Sequence, residues 1–134
     1  MREYNFHDPE QYSFQKEPPD GLTTESDCDW LLDKILPLHP DGLIVYDDVT
    51  AIRLVNLLKK RKLRVPEDIA VVSHRHTEYG EANSPSITGL DYRFAEIGRE
   101  AAELLLSFMQ KPKAEERPII GKYIPPYLFS GESA

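Results

Sequence analysis

The chain has a single cysteine, Cys28, so it cannot form an internal disulfide, which fits a reducing compartment. No apolar stretch reaches the ~18 residues that a membrane span requires. Met1-Arg2-Glu3-Tyr4-Asn5 carries no apolar signal region, and the expected location is the cytoplasm. Basic charge is also scarce: the formal net charge is -7, which argues against a nucleic-acid surface built from clustered Lys and Arg. The one dense basic run, Lys59-Lys60-Arg61-Lys62 with Arg64, falls where a helix is expected to end, and cations there complement the helix dipole. Phosphate-binding glycine loops, a nucleophile elbow and CxxC pairs are all missing, so nothing in the sequence supports an enzyme or a cofactor.

What is present is a globular composition, 40% hydrophobic with seven Tyr and five Phe, in 134 residues, enough for one core. Tyr12 to Lys16 alternates as a short strand does, and Pro18-Pro19-Asp20-Gly21 is a loop. Thr23 or Thr24 can cap a helix whose apolar positions are Cys28, Leu31, Leu32 and Ile35, ended by Pro37 and Pro40. Gly42 to Tyr46 is a continuous apolar run, predicting a strand buried on both faces. Asp48 is the expected cap of a second helix reaching Lys62, with Ala51, Leu54, Val55 and Leu58 as its stripe. Ile52 and Leu57 lie off that stripe, so the apolar surface is wide enough for a second buried contact.

Beyond Pro66, Ile69 to Val72 reads as a β-branched strand, Thr77 to Pro85 as a loop and Ile87 to Leu90 as a strand. Asp91 is the expected cap of a long helix to Gln110 carrying Phe94, Ile97, Ala101, Leu104, Leu105 and Phe108 on one side. Ile119-Ile120 and Tyr123-Ile124 are further strand candidates. Strands alternating with helices predict an α/β fold with a parallel sheet, and ligands in such sheets bind beyond the carboxyl ends of the strands. Three places meet that rule: Asp20 to Thr24, Tyr46-Asp47-Asp48 and Ser73-His74-Arg75-His76. The Asp47-Asp48 pair can bind sugar hydroxyls, hold a metal or accept a phosphoryl group, or else simply cap and solvate a helix start. His74 and His76 would point to one face of a strand and share a zinc with Glu78, or else sit as two polar residues in a loop.

Five segments then recur in a familiar order. Pro40-Asp41-Gly42-Leu43-Ile44-Val45-Tyr46-Asp47-Asp48-Val49-Thr50-Ala51 resembles the LacI/GalR regulator pattern of a strand ending in Asn-Asp. Val65-Pro66-Glu67-Asp68-Ile69-Ala70-Val71-Val72 is close to that family's approach to its next strand. Pro85-Ser86-Ile87-Thr88, Gly98-Arg99-Glu100-Ala101-Ala102-Glu103-Leu104-Leu105 and Pro125-Pro126-Tyr127-Leu128 with Ser133 resemble its remaining motifs. The resemblance covers residues 40–133 and implies part of an effector-binding and dimerisation domain over 1–134. The implied fold is a three-layer parallel sheet with flanking helices, the incomplete C-terminal subdomain of a periplasmic-binding-protein-like sensor.

The same resemblance implies no catalysis and no resident metal. It implies a small effector, a sugar or sugar derivative, in a cleft that Asp47, Arg75, Leu22, Tyr46 and His74 would face. It further implies a homodimer through the helix after Asp47-Asp48, at Ile52, Leu57 and Val55. Operator DNA would be reached only through an N-terminal helix-turn-helix outside this chain. A periplasmic sugar-binding protein is the alternative within binding proteins, and a receiver domain or small α/β hydrolase is the alternative among other classes. Two cleft positions depart from the family. Ser73-His74-Arg75 stands where Gly-Phe/Tyr-Asp is usual, and Asp47 stands where Asn is usual. An acid and a base changed together predict either an Asp47–Arg75 pair or a site for an anionic effector such as a sugar phosphate.

Overall fold

The computed structural model describes residues 24–110 and 121–134. The first helix, α1 (Glu25–Ile35), begins in a capping box: Thr24 accepts from the Asp27 backbone N–H, and the Asp27 carboxylate accepts from the Thr24 N–H at 3.0 Å. Its predicted stripe is the buried one, with Cys28, Leu31, Leu32 and Ile35 all in the core. A short 3₁₀ turn (Leu36–Leu38) leads into strand β1 (Gly42–Val45), then helix α2 (Asp48–Lys60) and strand β2 (Ala70–Ser73). A one-turn helix α3 (Glu78–Ala82), strand β3 (Thr88–Asp91), helix α4 (Phe94–Met109) and strand β4 (Tyr127–Phe129) complete the order.

The strands form one sheet in the order β1-β2-β3-β4. The first three are parallel, with Val45 opposite Ser73 and Ser73 opposite Gly89, so their carboxyl ends share one edge. β4 runs antiparallel to β3, pairing Asp91 with Tyr127. The molecule is therefore a mostly parallel α/β sheet flanked by helices, as the alternation of elements predicts. Helix α2 packs on β1 and β2, and α1 packs on the outside of α2.

That stacking corrects the expectation for α2. Val55 and Leu57 were expected on a dimer surface, yet both are buried in the chain's own core with Leu54 and Leu58. The second contact that the wide apolar surface calls for is supplied by α1. Ile52 is partly buried and also packs against the core. The basic run at the end of α2 is likewise used internally. Arg61 reaches the Asp29 carboxylate at 2.6 Å and Asp33 at 2.7 Å, Lys60 pairs with Glu25, and Lys59 donates to the Ser84 carbonyl. The Asp29 hydrogen bond is the main reason the Arg61 guanidinium is held above its ordinary range.

Four further expectations are revised. β1 is buried on one face only: Val45 enters the core, whereas Ile44 on the other face is 82% exposed. Among the described residues nothing covers that side. Thr77 to Pro85 is not all loop, because Thr77 caps α3; a five-residue helix is too short to show a period. Asp91 closes β3 instead of capping α4, whose N-cap is Arg93 in the left-handed region (φ 57°). The strand expected at Tyr123-Ile124 forms later, at Tyr127–Phe129. On α4 no residue is fully buried; Leu104 and Phe108 are partly covered, while Phe94, Ile97 and Leu105 are exposed. The strand candidate Tyr12–Lys16, the Pro18-Pro19 loop and the Ile119-Ile120 candidate lie outside the described residues.

Candidate effector site at the strand ends

Each parallel strand delivers its next residues to the shared edge. Tyr46 follows Val45, and His74 follows Ser73. Because Val45 and Ser73 are register partners, the two rings come side by side, with centroids 6.2 Å apart and planes 12° apart. The His74 N–H donates to the Val45 carbonyl at 2.7 Å and fixes that arrangement. From the third strand, Tyr92 brings its hydroxyl within 2.9 Å of His74 Nε2 and its ring to 5.5 Å from the imidazole. Phe94 extends the row, 5.8 Å from Tyr92. Tyr46, His74, Tyr92 and Phe94 thus make a continuous aromatic wall across the ends of three adjacent strands.

The two aspartates exchange the roles expected of them. Asp47, with an extended backbone (φ −141°, ψ 162°), is the N-cap of α2, and its Oδ1 accepts from the Thr50 N–H at 2.7 Å. Asp48 lies one residue inside the helix and is 1% exposed. Its Oδ2 accepts from the Thr77 N–H at 2.9 Å and from the Thr77 hydroxyl, and its Oδ1 has no partner. Only the residue preceding the first helical one can turn its side chain back onto the free N–H groups, which is why the cap falls to Asp47.

The segment between β2 and α3 is pinned at every step. Ser73 Oγ donates to the Arg75 carbonyl at 2.6 Å and accepts from the Arg75 N–H at 3.2 Å. The His76 N–H donates to the Leu90 carbonyl at 2.8 Å. The two histidines diverge, because His76 stacks on Phe129 at 4.1 Å while His74 stays between Tyr46 and Tyr92. Among the described residues no group of His, Cys, Asp and Glu is arranged to hold a metal ion.

The anticipated Asp47–Arg75 ion pair is not formed. Asp47 is spent on Thr50, and Arg75 Nε is buried with no partner. Among the described residues, three buried side-chain atoms lack a partner: Asp48 Oδ1, Arg75 Nε and His76 Nδ1. All three belong to the segments that leave β1 and β2 at this edge. Sequence reasoning named Tyr46, Asp47, His74 and Arg75, and the fold brings all four to the same edge. Leu22 lies outside the described residues. Tyr92 was missed because Asp91 beside it reads as a helix cap. The rule that selects strand ends, applied to the end of β3, would have found it.

Residues 1–133 match the periplasmic binding protein-like domain. The chain belongs to the periplasmic binding protein-like domain family. The LacI/GalR resemblance read from Pro40 to Ser133 holds, since the relatives of this family member are regulators of that type. It is 30% identical over 90 residues to the HTH-type transcriptional repressor PurR of Aliivibrio fischeri, covering 64% of this chain and 27% of the repressor. A LacI family transcriptional regulator from Silicibacter pomeroyi superposes with a TM-score of 0.70 at 26% identity, covering 88% of this chain and 40% of that one. A LacI family regulator from Enterococcus faecium with bound ribose gives a TM-score of 0.69 at 22% identity, covering 83% and 40%; at that identity the likeness is one of fold. This periplasmic binding protein-like chain spans about a quarter of the length of the curated relatives it matches.

Proposed function

We propose that this chain is the ligand-sensing part of a LacI/GalR-type transcription regulator. It binds a small effector, a sugar or sugar derivative, at the carboxyl ends of β1, β2 and β3 and performs no catalysis. The observation that carries the reading is the concentration of unpartnered buried polar atoms at this edge. Buried polar groups in folded proteins are nearly always paired, so such a cluster, at the strand ends where parallel sheets bind ligands, fits a region whose bonding a ligand or ordered water completes.

In the whole protein, operator DNA is contacted by a separate N-terminal helix-turn-helix, and the effector changes DNA affinity by favouring one arrangement of two sensor lobes. The protein acts in the cytoplasm as a homodimer. Of the interface positions carried over from the family, only Ile52 keeps accessible surface, and Val49, three residues before it on α2, is exposed.

Calorimetric titration of the full-length regulator with a panel of pentoses, hexoses and their derivatives tests the sensor role. Binding that Tyr46→Ala weakens supports it. If no sugar or sugar derivative binds, or if binding is indifferent to Tyr46, the effector assignment to this edge is wrong.

A further inference from the structure

Arg75 stands apart from most arginines of the described residues. Arg61, Arg64, Arg93 and Arg99 are all ion-paired. Arg53 and Arg75 are not, but Arg53 lines an open surface groove with Asn56, Lys59 and Lys60. Arg75 is partly buried, and its Nε is shut off from solvent with nothing to donate to. A guanidinium cannot shed its charge at any ordinary pH, so a partly buried one without a counter-charge is an unfavourable arrangement unless something supplies the anion.

Neither neighbouring carboxylate does so. Asp47 caps α2, and Asp48 turns its Oδ2 to Thr77. The backbone of Arg75 is meanwhile held by Ser73 on both its N–H and its carbonyl, so the cation is presented from a fixed base. Arg75 directly follows His74 in the chain, whose ring stands between those of Tyr46 and Tyr92, and the exposed Tyr46 and His74 rings lie within 12° of parallel. Aromatic faces hold other rings by stacking, and they hold the C–H face of a sugar in the same way.

We propose that this edge takes an anionic, ring-bearing ligand, with a phosphate or carboxylate on the Arg75 guanidinium and the ring against Tyr46, His74 and Tyr92. The proposal rests on the effector reading above and narrows it to one charge class. The shared chemistry is a ring joined to an anion. A sugar phosphate and a nucleotide both possess it, and they differ in which ring meets the wall.

The test is calorimetry on the full-length protein with ribose, ribose 5-phosphate, adenosine, adenosine 5′-monophosphate and inorganic phosphate. The expected result is that one ring-bearing phosphate binds at least about tenfold more tightly than its neutral counterpart and than inorganic phosphate. Arg75→Gln should abolish that difference and Arg75→Lys should retain part of it. Tyr92→Ala should weaken the phosphate and its neutral counterpart alike. Circular dichroism melts of each variant establish that the fold is retained.

If the neutral compounds bind as tightly as the phosphates, or if Arg75→Gln leaves the difference intact, the anionic assignment is overturned while the effector site stands. Absence of binding by every phosphate, with a neutral sugar still bound, overturns it in the same way. Failure of every compound here and in the sugar panel overturns both readings.

Discussion

Asp48 and Thr77 lock the ends of two adjacent strands together. The Asp48 Oδ2 accepts both the backbone N–H and the hydroxyl of Thr77, joining the start of α2 to the start of α3 across a separation of 29 residues. The tie fixes the far end of the segment that carries His74 and Arg75, whose other residues are held by Val45, Ser73 and Leu90. Asp48→Ala removes a buried acceptor and leaves the Thr77 N–H without one. The expected loss is about 2–3 kcal/mol in urea unfolding, the scale of hydrogen bonds to a charged group. A loss under about 0.5 kcal/mol would show that the tie contributes little beyond what water can replace.

A second tie closes the other end of the sheet. Strands β2 and β3 pair only at Val72–Thr88 and Ser73–Gly89. Before those pairs the fully buried Ser133 fills the gap: its Oγ donates to the Val71 carbonyl at 2.6 Å and accepts from the Thr88 N–H at 2.9 Å. Its backbone carbonyl also accepts from the Val71 N–H at 2.8 Å. Ser133→Ala should cost about 1–3 kcal/mol and speed hydrogen exchange at the Thr88 amide above all others. Unchanged exchange there would mean that the backbone bonds alone hold the tail in place.

Two glycines should respond in opposite directions. A Cβ on Gly131 would lie 2.5 Å from the Ser86 carbonyl oxygen and 2.8 Å from Ile87 C, both backbone atoms that cannot step aside. Gly131→Ala is expected to destabilise by about 1–3 kcal/mol, as overpacking does. A Cβ on Gly98 meets nothing within 4 Å in the first half of α4. Gly98→Ala should increase the helical circular-dichroism signal, following the roughly 0.5–1 kcal/mol helix preference of Ala over Gly. Equal effects from the two substitutions would contradict the packing described for the tail.

Helix α1 was legible in full, because a capping threonine and apolar positions at i, i+3, i+4 and i+7 leave little else possible. The strand ends that carry the candidate site were legible as well, since parallel α/β sheets place ligands there. Asp47 and Asp48 could not be told apart from sequence, because two adjacent carboxylates suit a cap equally and only the backbone angles decide. Val55 and Leu57 show a deeper limit: the width of an apolar surface says that two partners cover it, not that one of them is α1 of the same chain. Tyr92 was hidden by its neighbour, where Asp91 has the look of a helix start but accepts from the Arg93 N–H at the end of a strand. On α4 the apolar stripe was legible, but a stripe does not say what it packs on, and most of it is exposed.

The signature stretch Val65 to Val72 contains its own pH-sensitive contact. Asp68 accepts from the Arg64 guanidinium, at 2.6 Å from NH2 and 3.0 Å from Nε, and from the Arg64 N–H at 2.7 Å. The guanidinium beside it, then the backbone N–H, lower the Asp68 pKa from 3.8 to about 2. A carboxylate held lower in the folded protein than in the unfolded chain favours folding above the unfolded value. That contribution fades as pH falls from about 4 through 2. The pair lies at the protein surface, so the effect is read best at the carboxyl itself and not from global stability. In a carbon-13 NMR titration Asp68 should give the low midpoint in the intact protein, and Arg64→Ala should move that midpoint upward toward an ordinary aspartate. A midpoint that Arg64→Ala leaves in place would show that the backbone N–H, and not the arginine, sets the acidity of this turn.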